Sequence, residues 1–152
     1  MVRDYIKSMK ILLVEDSLHD IEITRRAFSK GRLNIEIKVV RDGEEALDYL
    51  YRRGRFQEYA SSPRPGLILL DLNLPKIAGM DVLQQIKADR DLRSIPVIVM
   101  TVSLREEDIV RSYDLGANTY IHKPVEFEHF MQVVSAIQEY WILTSTLPSG
   151  HP

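Results

Sequence analysis

The chain contains no cysteine, which excludes disulfides, iron–sulfur clusters and cysteine-ligated zinc. Long apolar runs are missing as well: nothing in it approaches the ~20 apolar residues a membrane-spanning helix needs. The opening MVRDYIKSMK has no apolar stretch of the kind that marks a secretory signal. Charge of one sign is not in excess. Lys plus Arg is 20 and Asp plus Glu is 22, for a net charge of −2, which offers no basic footprint for nucleic acid and little attraction to anionic lipid. Neither the GxGxxG fingerprint nor the GxxxxGK phosphate loop occurs, so the common nucleotide-binding signatures are absent. What is present is apolar bulk. Leu, Ile, Val and Phe make up 48 of the 152 residues, well above the ~20% below which chains stay disordered. That length is one domain by the usual prior. The expectation is a soluble, cytoplasmic, single-domain protein that touches neither nucleic acid nor membrane.

Apolar runs alternate with amphipathic stretches along the chain. KILLVE (10–15), IEIKVV (35–40), LILLDL (67–72), IPVIVMT (95–101) and NTYIH (118–122) are short, nearly continuous runs, as strands buried on both faces should be. Helical spacing follows each: 18–30, 43–53, 79–89, 104–115 and about 126–143. Leu18, Ile21, Ala27 and Phe28 share a side of the first helix, Asp16 or Ser17 is placed to cap it and Gly31 to stop it. Phe127, Phe130, Val134, Ile137 and Trp141 recur at three and four along the last. Residues 54–66, with Pro63, Pro65 and Gly66, read as a loop. Strands each followed by a helix imply a parallel sheet covered on both faces. Right-handed crossovers make it a doubly wound, flavodoxin-like α/β fold of order 2-1-3-4-5 with five helices. The expected domain is 9–143, flanked by tails at 1–8 and 144–152 with no output domain.

In such a sheet, chemistry belongs at the carboxyl ends of strands one and three. The first strand ends in Glu15-Asp16 and the third in Asp71. Converging carboxylates repel unless a cation sits among them. Oxygen donors without His or Cys suit a hard ion such as Mg²⁺. Strand four ends in Thr101, and strand five is followed by Lys123-Pro124. A Lys before Pro is held out of helical geometry, so its side chain can be aimed from a fixed turn. Acids, a hydroxyl and an ammonium on one rim would bind Mg²⁺ and a small dianion such as a phosphoryl group.

KILLVED, LILLDLNLP, VIVMT and YIHKP resemble, in order and spacing, the signature segments of the receiver domain of two-component response regulators. The far end, EYWILTSTLP, resembles stand-alone receivers that partner phytochrome-type histidine kinases. The resemblance implies that Asp71 accepts a phosphoryl group from a sensor histidine kinase. It implies Mg²⁺ held by Asp16 directly, Glu15 through water, Asp71, and the backbone carbonyl of Asn73. Thr101 and Lys123 match the switch hydroxyl and the family lysine, Tyr120 the switch aromatic, and Lys123-Pro124 is expected to be cis. Catalysis would be limited to weak self-phosphorylation and self-dephosphorylation, with output by protein–protein contact. Two departures stand out: Val102 is bulkier than usual, and Ser103 replaces a longer polar residue. Both point to a slowly hydrolysed phosphoaspartate.

Competing readings fit less well. A Toprim-like metal-dependent nucleic-acid enzyme also places a Glu after its first strand, but its Asp-x-Asp would here end in Asn73, and Thr101 and Lys123 would go unexplained. A flavodoxin needs a Ser/Thr/Gly-rich loop that EDSLHDIE does not supply. A pseudo-receiver keeps the fold as an interaction module without phosphorylation, although here every expected site residue is present. Leu18 and Ile21 lie beside the acid pair, where a kinase could dock. Ile109, Tyr113, Tyr120 and Val133 suggest a homodimer face across helix four, strand five and helix five.

Overall fold

A computed structural model of the chain describes residues 8–30, 34–58, 62–144 and 146–148. Its strands are β1 (Ser8–Val14), β2 (Asn34–Val40), β3 (Leu67–Leu70), β4 (Val97–Thr101) and β5 (Thr119–His122). Between and after them run α1 (Leu18–Ser29), α2 (Gly43–Tyr51), α3 (Gly79–Ala88), α4 (Glu106–Leu115) and α5 (Phe127–Ile137). The strands are all parallel in the order β2-β1-β3-β4-β5, as the alternating pattern predicts.

Successive strand residues point to opposite faces, and both faces of this sheet are buried. Ile11 and Leu13 of β1 join the core under α1 and α5, while Leu12 and Val14 join the one under α2 and α3. All four residues of β3 are buried. Each fully buried Leu or Ile contributes roughly 1.5–3 kcal/mol, so the central strands are the firmest part of the molecule. The helix α4 is held differently, its one buried residue being Ser112, whose hydroxyl meets Met80 Sδ at 3.7 Å.

Local chemistry sets the helix ends. Ser17 and Asp42 cap α1 and α2 by accepting the Asp20 and Glu45 backbone N–H groups. The left-handed Arg52 (φ 54°) ends α2 at Tyr51, two residues short of the expected 53. Expected to continue to 143, α5 instead passes after Ile137 into a π-helical turn, Gln138–Thr144. There the buried Gln138 amide donates to the Ala27 carbonyl of α1. Leu18 and Phe127, placed by periodicity on apolar faces, are 67% and 41% exposed. Each is the first residue of its helix and overhangs the rim of the sheet. The expected stop at Gly31, the N-terminal tail up to residue 7 and the last four residues lie outside the described residues. Among the described residues no helix is long and apolar enough to cross a membrane.

Candidate functional site at the carboxyl edge of the sheet

Register alone brings the first two acids together. Val14 of β1 pairs with Leu70 of β3, so Glu15 and Asp71 are the next residues beyond adjacent strand ends. Their backbones stay in the ladder: Glu15 N–H donates to Val40 O at 3.0 Å and Asp71 N–H to Val14 O at 3.1 Å. On the other side Thr101 pairs with His122, and the following Lys123 donates its N–H to Thr101 O at 2.7 Å. Gly79 lets α3 start directly against the turn that follows Asp71, since a Cβ there would overlap the Asp71 carbonyl and Leu72 Cα.

The centre of the site is the Lys123 ammonium, whose side chain is 5% exposed. It donates to Glu15 Oε1 at 2.6 Å, Asp71 Oδ2 at 2.7 Å and Asp20 Oδ2 at 3.0 Å. Burial alone would lower the lysine. The hydrogen bonds and charges of Asp71 and Glu15 more than reverse this and hold it above its ordinary value. Glu15 is pushed up by burial, and the Lys123 contact offsets only part of that rise. The second Asp71 oxygen, Oδ1, accepts the Asn73 N–H at 3.0 Å. Thr101 Oγ1 is buried without a hydrogen-bond partner, an uncommon state for a buried hydroxyl.

Glu15, Asp71 and Lys123 therefore meet through their side chains and Thr101 is tied to Lys123 through its backbone, but Asp16 does not join them. Its side chain is 51% exposed and faces Arg41 at 3.8 Å. Asp20 takes a place that the sequence reading gave it no part in. Lys123-Pro124 is trans, for among the described residues no peptide bond is cis, which corrects the expected isomer. Trans is the intrinsically favoured form, and the lysine is aimed instead by its backbone bond to Thr101 and its three carboxylate partners. Tyr120 lies partly buried with its hydroxyl donating to Ser103 O at 2.9 Å, and its N–H donating to the Tyr113 hydroxyl at 3.0 Å. The Ser103 hydroxyl in turn donates to Asp108 at 2.6 Å, tying the β4–α4 loop to the first turn of α4.

Among the described residues no group of three His, Cys, Asp or Glu side chains is arranged as a metal cage. The donor chemistry nevertheless fits a hard divalent cation. Three carboxylates surround one ammonium, an excess of negative charge presented only by oxygen. A cavity of about 670 Å³ among the described residues contains none of these groups. It lies beside the amino ends of β3 and β4, lined by Arg64, Asp89 and Leu92 among others.

The rim of this doubly wound domain thus carries carboxylates, a buried lysine and an unpartnered buried hydroxyl at the ends of neighbouring strands. Residues 11–135 match the response regulator receiver domain, and the chain belongs to that family. It is 42% identical to the response regulator Rcp1 of Synechocystis over 140 residues, spanning 92% of this chain and 93% of Rcp1. It is also 42% identical over 132 residues to a probable methanogenesis regulatory protein, FilR2, of Methanothrix harundinacea, across 87% of this chain and 83% of FilR2. The crystal structure of the phosphorylated cyanobacterial phytochrome response regulator RcpA superposes with a TM-score of 0.88 at 47% identity, over 93% and 99% of the two chains. The Mn²⁺-bound form of Rcp1 gives the same score at 40% identity and the same coverage.

Proposed function

We propose that this receiver takes a phosphoryl group from a histidine kinase onto Asp71 and passes the signal on by protein–protein contact. The observation that carries this reading is the buried Lys123 ammonium set 2.7 Å from Asp71 Oδ2, with the buried Thr101 hydroxyl left without a partner at the end of the neighbouring strand. An Asp71 oxygen attacks phosphorus in line. The new P–O bond forms as the P–N bond to the kinase histidine breaks, and the departing imidazole nitrogen keeps the electron pair and takes up a proton. Lys123 neutralises the entering phosphoryl oxygens, and Thr101 donates to one of them once the group is in place. Mg²⁺ would be held by Asp71, the Asn73 carbonyl and Glu15, and by Asp16 once its side chain turns in from Arg41, and would supply neutralisation of the developing charge. The test is transfer of label from an autophosphorylated histidine kinase in the presence of Mg²⁺. Absence of label from every kinase of the source genome and from small donors would leave a pseudo-receiver.

Likeness to the cyanobacterial phytochrome response regulator RcpA supports a phytochrome-type kinase as the partner. Leu18, 67% exposed beside the acids, is available to such a partner, whereas Ile21 is 8% exposed and belongs to the core. The same reading extends to a homodimer through α4, β5 and α5, involving Ile109, Tyr113, Tyr120 and Val133. Since α4 buries so little, Val110 and Tyr113 are 48% and 49% exposed there, and pairing two copies would cover them. Sedimentation at micromolar concentration should show a dimer, at least with beryllofluoride bound. A strict monomer in both states would defeat this surface.

The phosphorylated state should decay slowly. Val102 directly follows the switch hydroxyl, is 55% exposed, and has a β-branched, stiff side chain standing beside the approach of a hydrolytic water. Ser103, short and bonded to Asp108, is not free to orient that water. Val102→Ala should shorten the phosphoryl half-life by about threefold, the order expected from relieving ~0.6 kcal/mol of crowding. An unchanged decay rate would show that the methyl groups do not gate the water.

A further inference from the structure

An ammonium has three N–H donors and no acceptor, and Lys123 uses all three on Glu15, Asp71 and Asp20. The lysine is saturated before any phosphoryl group arrives. To donate more than one bond to such a group it must release a partner. The three partners are not equivalent. Glu15 and Asp71 side chains are 6% and 8% exposed and lie at 2.6 and 2.7 Å, while Asp20 is 21% exposed and lies at 3.0 Å. Releasing Glu15 would leave a buried carboxylate with the Ser17 N–H as its one remaining hydrogen bond. Asp20, on the first turn of α1 and nearer water, can be released at least cost.

We propose that Asp20 is a positioning residue for the phosphoacceptor site, holding the third donor of Lys123 and so limiting how much of the ammonium Asp71 can use. The proposal rests on Asp71 being the acceptor. In the unphosphorylated protein the Asp20 bond draws the ammonium toward α1. When a phosphoryl group carrying about two negative charges forms on Asp71, the ammonium turns to it and Asp20 lets go. Asp20 thus acts as a brake on phosphorylation, applied through Lys123. A different role is also available to this residue: a carboxylate on the first turn of a helix favours the helix dipole and stabilises α1 whatever the lysine does.

The experiment separates these. Incorporation from phosphoramidate at saturating Mg²⁺, followed by intact mass, is compared in wild type, Asp20→Asn, Asp20→Glu and Glu22→Gln. Asp20→Asn should label about three- to tenfold faster, the range between weakening an exposed ion pair and a buried charged hydrogen bond. Asp20→Glu should return toward the wild-type rate. Glu22→Gln removes the same charge from a 68% exposed side chain of α1 and should leave the rate within about twofold. In a Lys123→Met background Asp20→Asn should have no further effect. Acceleration that persists there means direct repulsion of the donor and overturns the proposal. So does a lowered melting temperature with an unchanged rate, which is a helix role alone. If Lys123→Met does not fold, the Glu and Glu22→Gln comparisons still decide. Wild-type protein that takes up no label removes the acceptor reading and this one together, whereas labelled wild type with an identical Asp20→Asn rate removes only the role of Asp20.

Discussion

Asp71→Asn should take up no stable phosphoryl label from any donor while keeping its fold. An amide has no anionic oxygen to attack phosphorus, yet its carbonyl can still accept from Lys123 or from the Asn73 N–H, the two groups that now bond the carboxylate. Lys123 also keeps Glu15 and Asp20. The stability loss should therefore fall below the ~3–5 kcal/mol seen when an isolated buried pair is broken on one side. Urea denaturation beside intact-mass labelling reads both quantities on one preparation. Label that survives at another residue would contradict Asp71 as the acceptor.

Thr101→Ala should do nearly the reverse. Its hydroxyl is buried without a partner, so removing it should leave stability unchanged or slightly higher. Phosphorylation should proceed within about threefold of wild type, because the hydroxyl bonds the product and not the attacking carboxylate. The structural response should be lost. Shifting a two-state population from 1:99 to 99:1 takes ~5.5 kcal/mol, and a hydrogen bond to a charged phosphoryl group supplies ~1.5–3 kcal/mol. Without Thr101 the Lys123 contact alone falls short. The beryllofluoride-induced change in backbone amide spectra over α4 and β5 measures the response directly. A full change in Thr101→Ala would place the switch elsewhere.

The positions of Glu15, Asp71, Thr101 and Lys123 were legible because strand ends are marked by where apolar runs stop, and parallel order then puts those ends on one rim. Asp20 was not. Helical periodicity sorts α1 into a buried and an exposed side, and an acidic residue on its first turn reads as a favourable dipole charge. Only the reach of Lys123 from β5 across the sheet singles it out. The one available signal was proximity: Asp20 lies on the first turn of the helix that begins just after the acid pair. The outward turn of Asp16 toward Arg41 was equally hidden, since it depends on a residue at the end of β2. Likewise, the exposure of Leu18 does not follow from helical periodicity, since it depends on Leu18 being the first residue of α1. The trans Lys123-Pro124 bond is the form that local sequence favours, and only the resemblance pointed to cis.

The most direct measurement is peptide mapping by mass spectrometry after transfer from an autophosphorylated histidine kinase with Mg²⁺ present. The expected result is a single phosphoryl group, labile to base and to hydroxylamine, on the peptide containing Asp71, absent without Mg²⁺ and absent in Asp71→Asn. A phosphoryl group on any other residue, or none under conditions where the kinase itself is labelled, would contradict Asp71 as the acceptor.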